Sequence, residues 1–199
     1  NQYILPLGAD VISSKDKKWD SLRLLYIGTL NHRDIPKTID GLYLYTQTYG
    51  KHNLTYDIVG DGEELEEIKR KVSEYKLEDI VSLHGKVMYN ELDTFLDNCN
   101  IGISYVPQKE CYQFQPPTKS YEYILSGLYC IATGTVSNKE IINPSNGIII
   151  DDTPFAFYEA LSYVANNMHS ISRLKIRETL MSSHTWNSIV EKSLKPIIE

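Results

Sequence analysis

The sequence predicts an α/β protein, a Rossmann-like doubly wound parallel sheet of six strands with helices on both faces. Three observations predict it. Six short, nearly all-apolar runs recur along the 199 residues. Segments of helical periodicity separate them. Runs that are apolar on both faces belong to parallel sheets covered by helices on both sides. No internal repeat and no linker divides residues 22–167.

Each element has its own signal. Residues 1–21 are irregular, with Pro6, Gly8 and a polar stretch from Ser13 to Asp20. Leu22 to Gly28 is the first strand. Pro36 to Tyr49 reads as a helix, with Ile39, Leu42 and Tyr43 on one face. Leu54 to Val59 is the second strand and stops at Gly60-Asp61-Gly62, a tight turn. Glu63 to Tyr75 is an amphipathic helix whose acidic first turn suits the positive end of its dipole. Val81 to His84 is the third strand. A short helix from Asn90 to Asn98 has Asn90 as its expected N-cap and turns Leu92, Phe95 and Leu96 inward. Ile101 to Tyr105 is the fourth strand, followed by a long loop from Pro107 to Pro117. A helix opens at Thr118 and stops at Ser126-Gly127. Tyr129 to Thr133 is the fifth strand, Lys139 to Asn143 at most a short helix, and Gly147 to Ile150 the sixth strand. Thr153-Pro154 caps a helix to Asn167 that turns Phe157, Leu161, Val164 and Met168 inward. The tail from Ile171 to Ile198 is largely helical.

Composition narrows the function classes. The net charge of −6 lacks the basic stripe of a nucleic-acid binder. No apolar run approaches the ~18 residues of a membrane span. Three cysteines, Cys99, Cys111 and Cys130, form no framework or zinc pattern and suit a reducing, cytoplasmic setting. The chain begins at Asn1 with no basic segment leading into an apolar one, which suggests a piece of a longer protein or a processed chain. The expected organisation is a linker over 1–21, a Rossmann-like domain over 22–167 and a helical tail over 168–199.

In an open parallel sheet, ligands bind beyond the carboxyl ends of the strands, where the strand order reverses. The usual order, 3-2-1-4-5-6, puts that point between strands 1 and 4. Two loops therefore matter. The first, after Gly28 and Thr29, offers Arg33 and Lys37 beside a helix start, an arrangement that suits an anion. Its plain alternative is a solvated loop whose cations pair with Asp34 or Asp40. The second reads Pro116-Pro117-Thr118-Lys119-Ser120-Tyr121-Glu122. Free N–H groups near Thr118 can hold a phosphate, and Glu122 can accept two hydrogen bonds from adjacent sugar hydroxyls. Here the plain alternative is an exposed Lys119–Glu122 pair, worth about 0.2–0.5 kcal/mol. His84-Gly85-Lys86 ends the third strand and can contact a base through its backbone; His84 has no visible partner for general-base work.

These segments resemble a known family. Leu5-Pro6-Leu7-Gly8-Ala9-Asp10, Leu24 to Leu30, Ile58-Val59-Gly60-Asp61-Gly62, Val81 to Val87 and Pro117 to Tyr123 with Gly127 and Tyr129 to Thr133 follow one another in its order and spacing. Asn146-Gly147 and Trp186 also fit. The chain resembles the C-terminal, donor-binding domain of a retaining, family-4-type glycosyltransferase of the GT-B fold. The resemblance implies Glu122 on the ribose of a UDP- or GDP-linked sugar, and Thr118 and Lys119 on the diphosphate. It implies Arg33 and Lys37 facing them across the switch point, and His84, Gly85 and Lys86 at the base. No metal or other cofactor is expected, because cations take over its task. The partners implied are the nucleotide sugar and an N-terminal domain of the same polypeptide, so the chain alone should bind nucleotide and transfer little.

Three departures stand out. Phe114 occupies the place of a frequent second glutamate, Thr29 replaces a basic residue, and Thr135-Val136-Ser137-Asn138 replaces a glycine-rich turn. Two alternatives stay open: a non-catalytic nucleotide-binding or interaction module, and a nucleotide-sugar epimerase.

Overall fold

The computed structural model describes residues 5–198. Residues 1–4, the first part of the expected linker, lie outside the described residues. Six parallel strands run β1 (Leu22–Ile27), β2 (Leu54–Val59), β3 (Val81–Gly85), β4 (Ile101–Ser104), β5 (Tyr129–Thr133) and β6 (Gly147–Ile150). Their order in the sheet is β3-β2-β1-β4-β5-β6, as expected. The reversal falls between β1 and β4, where Leu24 pairs with Ile101 and Leu25 with Gly102.

Helices α1 (Pro36–Tyr49), α2 (Leu65–Glu74), α3 (Leu92–Asn98), α4 (Thr118–Leu125), α5 (Val136–Ile141) and α6 (Pro154–Asn167) cover the two faces. The central strands are apolar on both sides because both sides are covered. Leu24, Leu25, Tyr26, Ile101, Ile103 and Ile131 are all buried. Close approach brings α4 onto β4. A side chain at Gly102 would reach to within 2.3 Å of the Tyr123 ring. The Tyr123 hydroxyl in turn accepts the Ile27 N–H at 2.7 Å, tying α4 to the end of β1.

Two local expectations change. Asn90 does not cap α3: a single 3-10 turn, Tyr89–Glu91, precedes it, and Glu91 takes the cap position. Instead of starting near Lys139, α5 runs from Val136, because the Thr135 hydroxyl accepts the Asn138 N–H. Met168, just past the end of α6 in a 3-10 turn, packs half-buried against the core, as expected. The described parts of both terminal segments pack on the rest of the protein. Helix α7 (Arg173–Met181) buries Ile176 and Leu180. Ala9 bridges to Thr185, and its N–H donates to the His184 carbonyl at 2.9 Å.

Candidate functional site

At the carboxyl end of the sheet the last residues of β1 separate two hollows. One, of about 330 Å³, lies toward α4 and is walled by Gly28, Thr29, Arg33, Thr118, Lys119 and Glu122, with Tyr26 and Tyr112 beneath. The other, of about 360 Å³, lies toward β2 and is walled by Gly60, Asp61 and Lys86. Both share Ile27, Gly28 and Thr29.

The sequence explains why the chain can turn so sharply here. Gly28 has φ +151° and Gly60 φ +152°. A side chain on Gly60 would lie 1.8 Å from the Gly28 carbonyl oxygen, so the two turns pass at backbone contact. Tyr26, buried under the site, donates its hydroxyl to the Thr29 carbonyl at 2.7 Å and fixes the loop that follows.

Lys119 is the central group. It is almost fully buried, and its ammonium lies 3.8 Å from the centre of the Tyr26 ring. Among the described residues it has no hydrogen-bond acceptor and no carboxylate partner. Burial first, and then the neighbouring Arg33 charge, push its pKa down to about 7. Arg33 also lacks a carboxylate partner; its guanidinium lies over the Tyr112 ring, 4.7 Å from the centroid. The site thus holds two cations that the described residues leave unneutralised.

The start of α4 completes the arrangement. Pro117 precedes it and provides no side-chain cap. The N–H groups of Thr118 and Lys119 have no partner among the described residues, whereas that of Ser120 bonds the Pro117 carbonyl. Neighbouring helix starts are filled. Val136 and Ser137 donate their N–H groups to the side chain and carbonyl of Gln113 at 3.2 and 3.0 Å. Glu64 fills the approach to α1, accepting from the N–H groups of Arg33, Asp34 and Ile35 at 2.7, 2.9 and 3.0 Å.

Glu122, one turn into α4, is half-buried and faces the Asp10 carboxylate and the Tyr89 hydroxyl. Burial first and Asp10 second raise its pKa above the usual carboxylate range; Tyr89 acts in the opposite sense. It makes no ion pair with Lys119, so the exposed Lys119–Glu122 pair does not form.

Other candidates lie elsewhere. Lys37 points to Asp34, Nζ to Oδ2 2.8 Å, and is outside the cavity wall. His84 turns to Asp57, with Nε2 2.6 Å from Oδ1, and meets the Phe95 ring edge-on. It does have a partner, then, but one on the sheet face and not in the crevice. The Gly85 carbonyl is taken by the Gly60 N–H at 2.8 Å. Only Lys86 of that trio lines the crevice. Ser126, on the same sequence face as Glu122, is buried and accepts the Ser13 N–H instead. Phe114 is 77% exposed and outside the wall. Tyr26 and Tyr112 were not candidates in the sequence, because no spacing rule links Tyr112 to a cation 79 positions away.

Among the described residues no three His, Cys, Asp or Glu side chains gather in a way that could hold a metal ion. No described helix is long and apolar enough to cross a membrane.

The family model for glycosyl transferases group 1 matches residues 21–167. The chain belongs to the group 1 glycosyl transferases. No curated protein matches it significantly in sequence. Solved glycosyltransferase structures share its fold. The lipopolysaccharide outer core galactosyltransferase WaaB, in its apo form, superimposes with a TM-score of 0.76 at 19% identity, over 98% of this chain and 54% of that one. The sucrose-phosphate synthase of Thermosynechococcus elongatus gives 0.72 at 18%, over 98% and 51%. The pneumococcal O-GlcNAc transferase GtfA, in complex with UDP and GlcNAc, gives 0.74 at 19%, over 94% and 37%. This group 1 chain therefore spans about half of these relatives or less, and at such identities the likeness shows the fold alone.

Proposed function

We propose that this chain binds the nucleoside diphosphate part of a UDP- or GDP-linked sugar. In this reading it is the donor-binding half of a retaining, metal-independent glycosyltransferase. The observation that carries the reading is the pair of unneutralised cations, Lys119 and Arg33, facing the unfilled start of α4. An ammonium on a nearly buried side chain, with no acceptor among the described residues, is costly, and a diphosphate supplies the missing charge.

Roles follow from position. The Thr118 and Lys119 amides and the Lys119 ammonium hold the phosphates, with Arg33 across the cavity. Glu122 accepts the ribose hydroxyls, exchanging its Tyr89 neighbour for two charge-assisted bonds. Gly28 and Thr29 let the donor approach the backbone, and Lys86 faces the base lobe. As the glycosidic bond breaks, charge builds on the leaving diphosphate. Preset cations and amides stabilise that charge without reorganising. The cations stand where other enzymes place a metal. The acceptor and the rest of the cleft belong to an N-terminal domain of the longer protein, in the cytoplasm. A GtfA structure holding UDP supports a uracil nucleotide as the first to test.

The test is a thermal-shift series with UDP, GDP, ADP, CMP and dTDP, with and without magnesium. A ligand at 100 times its Kd stabilises by about 2.7 kcal/mol, a shift of several degrees. One or two nucleotides should shift wild type without magnesium, and E122A should lose the shift while staying folded. No shift with any nucleotide at about millimolar concentration overturns the reading.

A further inference from the structure

The geometry points to Glu64 as the positioning residue for Arg33: its carboxylate fixes the loop that delivers the guanidinium to the crevice. This inference rests on the donor-binding reading for its functional meaning, but its structural core stands apart from it.

Arg33 sits between two non-glycine residues in the left-handed region, His32 at φ +54° and Asp34 at φ +57°. Such conformations are unfavourable for residues that carry a side chain and persist where the surroundings determine them. Glu64 supplies that determination. Its two oxygens accept three consecutive N–H groups, Oε1 from Arg33 and Asp34 and Oε2 from Ile35. The same turn is laced to the Arg33 loop at other points. The Leu30 N–H donates to the Asp61 carbonyl at 2.9 Å and the Glu64 N–H to the Leu30 carbonyl at 3.0 Å. The Glu63 N–H donates to Asn31 Oδ1 at 2.7 Å. A side chain on Gly62 would come within 2.6 Å of the Leu30 carbonyl carbon, so the two loops are in backbone contact.

The result is a division of labour. Glu64 spends its charge on main-chain amides and makes no ion pair with Arg33. The Arg33 guanidinium is therefore left free to lie over Tyr112 and face Lys119. A carboxylate that paired with the guanidinium itself would cancel the charge the site needs. The Gly60–Glu64 turn, which looks like a plain strand-to-helix connection in sequence, is the mount for a ligand-facing cation on another loop.

The test uses E64A and E64Q in the 199-residue chain, with R33A and the double variant E64A/R33A. Glutamine keeps one carbonyl acceptor, so it covers the case in which E64A does not fold. Crystal structures without nucleotide read the positioning directly: the Arg33 guanidinium should leave the Tyr112 ring in E64A or E64Q. Calorimetry with UDP reads its consequence. E64A should weaken UDP about tenfold, the loss of one charge-assisted contact, with E64Q between it and wild type. In the R33A background the E64A change should cost nothing further, an outcome that a purely structural role for Glu64 would not give. An Arg33 that stays on Tyr112 in both variants overturns the inference, as does an equal loss with and without Arg33. A displaced Arg33 in a protein whose wild type binds no nucleoside diphosphate upholds the positioning and overturns the donor reading alone.

Discussion

Helices α1 and α4 both begin at the carboxyl end of the sheet, on the neighbouring strands β1 and β4, and their first turns are built in opposite ways. At α1 every amide is spent. Pro36 has none, Lys37 and Thr38 donate to the Asp34 and Ile35 carbonyls, and the three before them belong to Glu64. Even the adjacent lysine, Lys37, is paired with Asp34. At α4 two amides and an ammonium are left over. Every helix start carries positive potential. The comparison teaches that it is left open to an anion only where the chain declines to fill it. A cation nearby in sequence is not enough to tell the two apart.

The largest effect that can break this comparison is at Lys119. K119M keeps an unbranched side chain and removes the charge. Nucleoside diphosphate affinity should fall by about 10- to 100-fold, as for a lost charged hydrogen bond. The unliganded protein should become more stable to urea, because an unpaired buried charge is gone. Unchanged affinity in calorimetry would place the ligand somewhere other than the start of α4.

A second effect sharpens it through pH. The Lys119 pKa is pushed from 10.5 down to about 7 in the empty protein. A bound diphosphate favours the charged form, so binding above pH 7 takes up a proton. Affinity should fall as pH rises from about 7 to 9, by at most about tenfold per unit. Stability of the empty fold runs the other way. Between about 7 and 10.5 the unfolded lysine keeps a proton that the folded one has lost, so stability rises with pH across that window. Buried Lys17, pushed down to about 8, adds to the rise above that pH. Calorimetry in buffers of different ionisation enthalpy counts the proton. K119M should take up none, and a proton uptake that survives in K119M would assign it to another group.

Much of this was legible in the sequence, and the limit has a physical form. Strand positions and order follow from apolar runs and the topology rules, which are statements about the backbone. The gathering of Gly28, Thr29, Arg33, Thr118, Lys119 and Glu122 follows from the same rules, since each lies on the connection that follows β1 or β4 at the switch point. The use of a helix start is set by long-range side chains. Glu64 lies 31 positions from Arg33, and Gln113 lies 23 from Val136. Nothing local announces either contact. His84 fails for a related reason: its place at the end of β3 was readable, but not the face it takes or the Asp57 carboxylate waiting across the strand pair. The burial of Lys119 against the Tyr26 ring is another such contact, between residues 93 positions apart.

The smallest expected effect is a deliberate near-zero at Lys37. K37A removes a cation four positions from Arg33, beside the filled helix start. Its pair with Asp34 is partly exposed and spaced i,i+3, so its loss should cost about 0.2–0.5 kcal/mol of stability. Nucleotide affinity should change less than about twofold, because the charge lies outside the cavity wall and solvent screens it. R33A, measured beside it, should cost about tenfold. Equal losses in the two variants would mean that the loop acts through its summed field and not through contact. Salt then separates the cases: a field effect fades as ionic strength rises toward about 0.5 M, where the screening length is only a few ångströms, while a contact inside the cavity persists.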